Sequence, residues 1–283
     1  MAWFYWDPDP VFITIPFINH PIMWYGLLFA TGFAIGYLFL VNIFAKTLRQ
    51  HHKPYESKIL ARESVDKMAW YVVAGTIIGA RLGHVFFYSW PLYRDNLFDI
   101  IKIWEGGLAS HGGAIGVMIA LVFAARAVKK KIPEATFFFL FDAIVVPTAL
   151  VGAFIRMGNF FNQEVIGTET NMPWAVVFGT PFDGSTPIPR HPVQLYEAMF
   201  YLFTFITLFI ICKKYQALTK RGLLSGLFFV MIFGFRFFVE FFKEPMSMLF
   251  DGEHYLLMGQ YLSIPFIILG AILLFFVHTK KES

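Results

Sequence analysis

Long apolar stretches separated by short polar ones run along almost the whole chain. Seven of them have about the length that a helix needs to cross the hydrocarbon core of a bilayer, roughly 20 residues. They lie at residues 24–44, 68–90, 107–125, 135–158, 195–212, 222–242 and 258–278. The pattern therefore predicts an all-α polytopic membrane protein with about seven transmembrane helices, built as a single integral membrane domain over residues 1–283.

Composition supports this class of protein. Hydrophobic residues make up 57% of the 283 residues and charged residues only 15%, whereas about a quarter of a soluble domain is charged. The first 17 residues carry no basic region and no small-residue cleavage site, so we expect retained structure there rather than a signal peptide. The single cysteine, Cys212, excludes an intramolecular disulfide.

The basic residues predict the orientation of the helices. Of the 23 Lys and Arg residues, sixteen fall on one side of the membrane, in the segments 45–67, 126–131, 213–221 and 280–281. Positive charge accumulates on cytoplasmic loops, so we expect the N-terminus outside and the C-terminus in the cytoplasm. Small extracytoplasmic elements are then expected at 160–194 and 243–257. The net charge of +4 reflects this sidedness and does not indicate nucleic-acid binding.

Polar and charged residues inside the predicted spans cost free energy and usually mark pathways or sites. With the predicted orientation, one group shares a depth in the outer half of the membrane: Tyr25, His111, Arg156, Asn159, Tyr196, Arg236 and Glu240. The spacing of Arg156 and Asn159 puts them on one helix face, and Arg236 can pair with Glu240 along its helix. A shared depth favours a common site over scattered structural residues.

Other polar residues have less specific positions. Pro192 suits the first turn of the fifth helix, so His191 and Glu197 flank its start. Asp142 lies at another depth, near the inner end of its span, and both Asp142 and Arg81 are expected to be structural. The outer group also has a structural explanation, since it can consist of intramembrane ion pairs, a core histidine and glycines that serve close helix packing.

The outer group suits an anionic ligand. Guanidinium groups bind phosphate through two parallel hydrogen bonds, and apolar walls at the level of a membrane leaflet suggest a phospholipid. A histidine at this level can act as a general base. The sequence has no zinc-binding, P-loop or serine-elbow motif, so we expect no metal and no cofactor. A lipid or anionic-solute transporter and a non-catalytic lipid receptor remain alternatives at this point.

Six short stretches carry a resemblance to a known family. In chain order they are WYG at 24–26, GARLGHVFFY at 79–88, EGGLASHGGAIGV at 105–117, RMGNFFNQE at 156–164, RHPVQLYE at 190–197 and FRFFVEFFKEP at 235–245. Together they resemble prolipoprotein diacylglyceryl transferases over nearly the whole chain. Their order and combination are far more specific than any single motif.

The resemblance implies a multi-pass enzyme of the bacterial plasma (inner) membrane with its active site toward the extracytoplasmic side. Such an enzyme transfers the diacylglyceryl group of phosphatidylglycerol to the lipobox cysteine in the signal peptide of a prolipoprotein. A thioether forms and glycerol phosphate leaves. Membrane lipid and prolipoprotein are therefore the expected partners.

The resemblance also implies roles for individual residues. Catalytic roles fall on Tyr25, His111, Arg236 and Glu240, head-group binding on Arg156, Asn159, Glu164 and Gly167, and supporting roles on Asp142, His191 and Glu197. Arg236 is expected to offset charge on the departing glycerol phosphate, with Glu240 orienting it. His111 is the first candidate for accepting the thiol proton. An arginine-assisted thiolate, or Glu164 as the base, remains open.

Overall fold

Helices dominate the computed structural model, which describes residues 3–17, 19–49, 52–214, 218, 220–244 and 256–279. Over these ranges, seven helices are long and apolar enough to cross a bilayer. They are α1 (Trp24–Leu48), α2 (Pro54–Tyr88), α4 (Ser110–Val128), α5 (Phe137–Phe161), α6 (Val193–Lys214), α7 (Leu223–Val239) and α8 (Met258–Thr279), with a short α3 (Trp90–Tyr93) between α2 and α4. The predicted all-α membrane fold is confirmed, and the orientation stays a prediction. Of the predicted element 243–257, residues 245–255 lie outside the described ranges.

Helix α2 differs most from its predicted span at 68–90. It has 35 residues and begins at Pro54, within a segment that the charge pattern assigned to a loop. Proline suits the first helical position, because its missing N–H would have no partner within the helix. Ser57, Ala61 and Ser64 are buried at helical spacing, as expected for the inner face of an amphipathic helix. The charges of this segment therefore lie on the exposed side of a helix.

The chain groups into two compact units. The inserted unit contains residues 39–141, and the main unit contains residues 1–38 and 142–283. The prediction of a single integral membrane domain over 1–283 stays a prediction.

Glycines bring α2 and α4 into backbone contact in the inserted unit. A Cβ added at Gly116 would overlap the carbonyl oxygen of Gly75, and one at Gly83 would lie 2.7 Å from Gly112 Cα. Small residues at these positions allow two helix backbones to approach closely. Gly112 and Gly116 therefore serve helix packing, one of the explanations that the sequence left open.

Arg81 is a structural residue of the inserted unit. Its side chain is buried, and it donates hydrogen bonds of 2.7 Å to the carbonyl oxygens of Asp99 and Ile100. A further bond of 2.5 Å goes to the carbonyl of Gly106. Because the guanidinium is occupied by main-chain carbonyls, it holds the loop between α3 and α4, in agreement with the predicted structural role.

Short strands accompany the helices of the main unit. They are β1 (Phe4–Trp6), β2 (Val11–Ile15), β3 (His20–Met23), β4 (Val176–Phe178) and β5 (Pro189–Arg190). Strand β4 pairs in parallel with β1 and antiparallel with β5, while β2 and β3 form an antiparallel hairpin. Trp6 stacks on Phe160 with ring centroids 4.7 Å apart, and its indole donates to the Phe160 carbonyl at 3.0 Å. The three-stranded sheet is thereby attached to the end of α5.

Candidate active site

A fully buried carboxylate, Glu197 in α6, forms the centre of the candidate site. Its Oε2 lies 3.0 Å from Arg156 Nε on α5. Its Oε1 lies 3.1 Å from Lys243 Nζ and accepts a hydrogen bond of 3.3 Å from the Tyr201 hydroxyl. These four residues are called the Glu197 cluster below. Two cations and a hydroxyl compensate one buried anion, which a single partner would satisfy less well.

The sequence around each helix end explains how the Glu197 cluster forms. Glu197 and Tyr201 are four residues apart on α6 and therefore share a face. Gly152 on α5 makes room for the Tyr201 ring, since a Cβ there would lie 3.0 Å from Tyr201 Cδ2. The Tyr201 hydroxyl also lies beside the Arg156 guanidinium. Helices α5 and α6 are thus held together through polar side chains.

The Arg156 side chain is partly accessible, whereas that of its partner Glu197 is not. Its side chain is 15% exposed, whereas that of Glu197 is 0% exposed. Oxygen Oε2 of Glu197 accepts no aligned hydrogen bond from the described residues, so the contact with Arg156 is an ion pair without the directionality of a hydrogen bond. A ligand can therefore reach the Arg156 side chain but not the Glu197 carboxylate.

A chain of side-chain hydrogen bonds continues from Arg156 past the end of α5. Arg156 Nη1 donates to Asn159 Oδ1 at 3.2 Å, so the predicted shared face of these two residues is confirmed. Asn159 Nδ2 donates to Glu164 Oε1 at 2.7 Å, and Asn162 donates to the same oxygen at 3.3 Å. Three of the predicted head-group residues are therefore in one hydrogen-bonded set.

The turn that carries Glu164 has an unusual backbone. Its neighbours Gln163 and Val165 have φ angles of 53° and 56°, in the left-handed region that β-branched residues rarely adopt. The reversal brings the Glu164 carboxylate back onto Asn159. Strain of this kind persists where surrounding contacts enforce it, and it often accompanies functional sites.

Gly167 joins three segments of the main unit. A Cβ at this position would overlap the carbonyl oxygen of His191 and lie 2.8 Å from that of Phe242. Gly167 also forms a β-bridge with Lys243. Its structural part is to let these segments approach closely, which places Lys243 beside Glu197. Its predicted role in head-group binding stays a prediction.

The predicted pairing of Arg236 with Glu240 is wrong for this structure. Helix α7 ends at Val239, and Glu240 begins a 3₁₀ turn. There Glu240 Oε2 lies 3.3 Å from Lys243 Nζ, and Oε1 accepts a hydrogen bond of 3.2 Å from the Gly259 N–H. Gly259 is in the first turn of α8, where the helix dipole favours a carboxylate. These two partners outcompete the arginine one turn back.

Arg236 remains a cation without a carboxylate partner in the described part of the chain. Its Cζ lies 6.0 Å from the centroid of the Phe233 ring, and its charge acts on the Tyr201 hydroxyl. Arg236 therefore stands at the edge of the Glu197 cluster and is available to an anion.

Tyr25 also belongs to this region of the main unit. Its ring lies against Gly158, where an added Cβ would be 2.6 Å from Tyr25 Cδ2. Both Glu164 and Arg156 act electrostatically on its hydroxyl. Tyr25 and Asn162 line a cavity of about 460 Å³. The predicted link between Tyr25 and the head-group residues is therefore supported by position.

Two predicted residues take no part in these contacts of the main-unit site. His111 is the second residue of α4 in the inserted unit, with an exposed side chain, and its role as a base stays a prediction.

Asp142 is fully buried near the start of α5, about 21 Å along the helix from Arg156. It accepts hydrogen bonds from Gly222 N at 2.6 Å and Ser225 N at 2.8 Å, at the N-terminus of α7. The structure does not bring Asp142 to the site, because it caps a helix.

His191 borders an apolar groove of about 670 Å³ between α6 and α7. Its Nδ1 lies 3.1 Å from the Tyr196 hydroxyl, which accepts a bond of 2.7 Å from Trp174 Nε1. Aromatic side chains such as Phe200 and Phe235, stacked with centroids 4.1 Å apart, form much of the lining. Phe200, in the groove lining, and Tyr201, in the Glu197 cluster, are consecutive residues of α6.

Burial lowers the pKa of His191 below its ordinary value of 6.5. The unfolded chain then binds a proton more readily than the folded one, so stability is lost as the pH falls below about 6.5. We expect the unfolding temperature to drop more between about pH 7 and about pH 5 in the wild type than in His191→Gln. The exposed His20→Gln variant should keep the wild-type drop. Equal drops in the wild type and His191→Gln would contradict the expectation.

Two members of the Glu197 cluster, Tyr201 and Lys243, are absent from the sequence-based prediction. Both carry a local signal, since Tyr201 follows Glu197 by four residues and Lys243 follows Glu240 by three. Within the described ranges, no group of three or more His, Cys, Asp or Glu side chains is arranged to hold a metal ion.

Comparison with known proteins gives matches along nearly the whole chain. The family model described as prolipoprotein diacylglyceryl transferase matches residues 10–276. A phosphatidylglycerol-prolipoprotein diacylglyceryl transferase of Tolumonas auensis is 40% identical over 278 residues, covering 98% of each chain. Those of Protochlamydia amoebophila and Chloroherpeton thalassium are each 38% identical and cover 96% and 97% of this chain, and 94% of their own. The resemblance carried by the six sequence stretches is therefore confirmed.

Proposed function

The chain belongs to the prolipoprotein diacylglyceryl transferase family, and we propose that Arg156, held by the other members of the Glu197 cluster, binds the phosphate of the lipid substrate. The protein is a multi-pass membrane transferase that moves the diacylglyceryl group of phosphatidylglycerol to prolipoproteins during lipoprotein maturation. One observation carries the assignment of the site. Arg156 is partly exposed within a transmembrane helix while a buried carboxylate holds it in place.

The surroundings of Arg156 suit a phospholipid head group. A guanidinium offers parallel N–H groups that match phosphate oxygens, and Asn159 and Glu164 lie beside it with further polar atoms. Arg236 supplies a second cation. The aromatic groove between α6 and α7 gives apolar chains a place next to these charges. A lipid whose anionic head and apolar tail must be bound together fits this arrangement.

The proposed chemistry is a displacement at the glyceryl carbon that bears the phosphate. The lipobox cysteine sulfur forms a bond to this carbon, and the carbon–oxygen bond to the phosphate breaks. The electron pair leaves with glycerol phosphate, and the thiol proton passes to a base, since the thiolate is the reactive form. Arg236 offsets the charge that develops on the leaving group, a type of contribution worth roughly 100-fold to 1000-fold in rate elsewhere.

His111 is the proposed base, and Glu164 is the second candidate. Glu164 is already in the Arg156 set and accepts two amide hydrogen bonds. Tyr25 borders the adjoining cavity and is proposed to orient the substrates there. Glu240 holds Lys243 and the start of α8, so its proposed part is indirect.

The proposed location is the bacterial inner membrane, with the site on the extracytoplasmic side. The sixteen basic residues concentrated on one side of the spans support this orientation. The lipobox cysteine of a prolipoprotein would then reach the site after translocation.

The test uses the purified chain in detergent with phosphatidylglycerol and a lipobox peptide. We expect mass spectrometry to find one diacylglyceryl group on the peptide and an equal amount of released glycerol phosphate. A peptide with Cys→Ser should gain nothing, because its hydroxyl is a far weaker nucleophile. Folded protein that yields neither product would refute the proposal, and a transporter or lipid receptor would give that result.

A further inference from the structure

Lys243 and Tyr201 share one oxygen of the carboxylate that holds Arg156. Lys243 is only 8% exposed, and its Nζ lies 3.1 Å from Glu197 Oε1 and 3.3 Å from Glu240 Oε2. Tyr201, at 5% exposure, donates its hydroxyl proton to the same Oε1. Both residues contact Glu197 Oε1, so their shared effect on Arg156 passes through this carboxylate.

The charges of the cluster explain what these contacts achieve. A buried carboxylate paired only with Arg156 would neutralise the guanidinium, and an incoming phosphate would compete with it for the same N–H groups. Lys243 supplies a second positive charge to Glu197. The positive field of Arg156 is then available to a ligand, although Glu197 stays buried beside it.

Orientation gives a second reason. The Tyr201 and Lys243 bonds fix Oε1, and this leaves Oε2 near Arg156 Nε without an aligned hydrogen bond. If Oε1 were released, the carboxylate could rotate and accept aligned bonds from the guanidinium. Such bonds would draw Arg156 toward Glu197 and away from the lipid.

We propose that Lys243 and Tyr201 are positioning residues of the phosphate site, which hold Glu197 so that Arg156 is presented to phosphatidylglycerol. This inference rests on the proposed function, in which Arg156 binds the lipid phosphate. It predicts that losing either residue raises KM for phosphatidylglycerol and leaves kcat close to the wild-type value. The contact that is weakened, between Arg156 and the lipid phosphate, already forms when the lipid binds.

The experiment varies the mole fraction of phosphatidylglycerol in mixed micelles at a saturating concentration of the lipobox peptide. Tyr201→Phe is expected to raise KM about threefold to tenfold, as for the loss of one hydrogen bond. Lys243→Met is expected to raise KM by more than about tenfold, and Lys243→Arg should recover most of the loss. The exposed residues Tyr261 and Lys220 provide matched controls, and Tyr261→Phe and Lys220→Met should keep the wild-type KM.

The double variant Tyr201→Phe/Lys243→Met tests the shared oxygen. Because both residues act on Glu197 Oε1, its rise in KM should be smaller than the product of the two single effects. Independent, multiplying effects would overturn the proposal. A fall in kcat with unchanged KM would also overturn it, since a merely structural role would lower the active fraction in that way.

Failure of the inference is distinguishable from failure of the proposed function. If Arg156→Ala loses activity while Tyr201→Phe and Lys243→Met keep the wild-type KM, only the positioning role is wrong. If folded Arg156→Ala keeps the wild-type KM, the phosphate site itself is wrong. Should Lys243→Met fail to fold, the near-isosteric Tyr201→Phe still decides the question.

Discussion

Replacing Arg156 by alanine is expected to lower kcat/KM for phosphatidylglycerol by roughly 100-fold or more. The change removes the accessible guanidinium, and with it the hydrogen bond to Asn159 and the ion pair with Glu197. It also leaves Glu197 buried with Lys243 as its cationic partner, and such losses typically cost about 2–5 kcal/mol. The measurement is the rate at which the lipobox peptide gains a diacylglyceryl group over a range of lipid concentrations.

Two further variants separate charge from geometry at this position. Arg156→Lys keeps the positive charge but loses the fork of parallel donors, so we expect intermediate activity. Arg94→Ala removes an arginine whose side chain is 61% exposed in the inserted unit, and its activity should match the wild type. A folded Arg156→Ala protein with wild-type kcat/KM would show that the phosphate binds elsewhere.

The helical spans were predictable because their signal is local. A run of apolar residues of bilayer length is sufficient to identify a span, and the helices beginning at Trp24 and Met258 start where the sequence placed them. The start of α2 was not predictable by this criterion. Its first turns alternate charged residues with small ones such as Ser57 and Ala61, whose burial depends on tertiary packing and not on local hydropathy.

In the candidate site, too, some contacts follow from local spacing and others depend on segments that are distant in the sequence. The contact of Arg156 with Asn159 depends on helical spacing alone and was predicted correctly. The pairing of Arg236 with Glu240 has equally good spacing, yet Glu240 lies beyond the end of α7. Its actual partners are Lys243 and the N-terminus of α8, and the second of these depends on how distant segments meet. Spacing rules state which contacts are possible, and competition among partners decides which one forms.

Lys243 shows why a sequence can hide a site residue. It follows a transmembrane helix, where a lysine is usually a solvated residue at the membrane surface. In the structure it is buried because the β-bridge to Gly167 draws its backbone toward α6. The residues that it joins, Glu197 and Gly167, are remote in the sequence.

Gly167→Ala is expected to reduce stability and to raise KM for phosphatidylglycerol. The added methyl group would overlap the His191 carbonyl oxygen and approach that of Phe242 within 2.8 Å, and both neighbours are backbone atoms that cannot rotate away. Overpacking of this kind costs about 1–3 kcal/mol. Displacement of Lys243 is expected to raise KM for phosphatidylglycerol by about tenfold, as in Lys243→Met. Thermal unfolding in detergent and the peptide assay measure the two effects separately.

Gly234→Ala is the matched control, because a Cβ at this position in α7 meets nothing within 4 Å and alanine favours a helix more than glycine does. It should unfold at or above the wild-type temperature and retain activity. If Gly167→Ala is also indistinguishable from the wild type, close approach at residue 167 is not required. If it unfolds early but its folded fraction keeps the wild-type KM, Gly167 is structural and does not position Lys243. A raised KM for phosphatidylglycerol in a folded Gly167→Ala protein would link the bridge between Gly167 and Lys243 to the phosphate site.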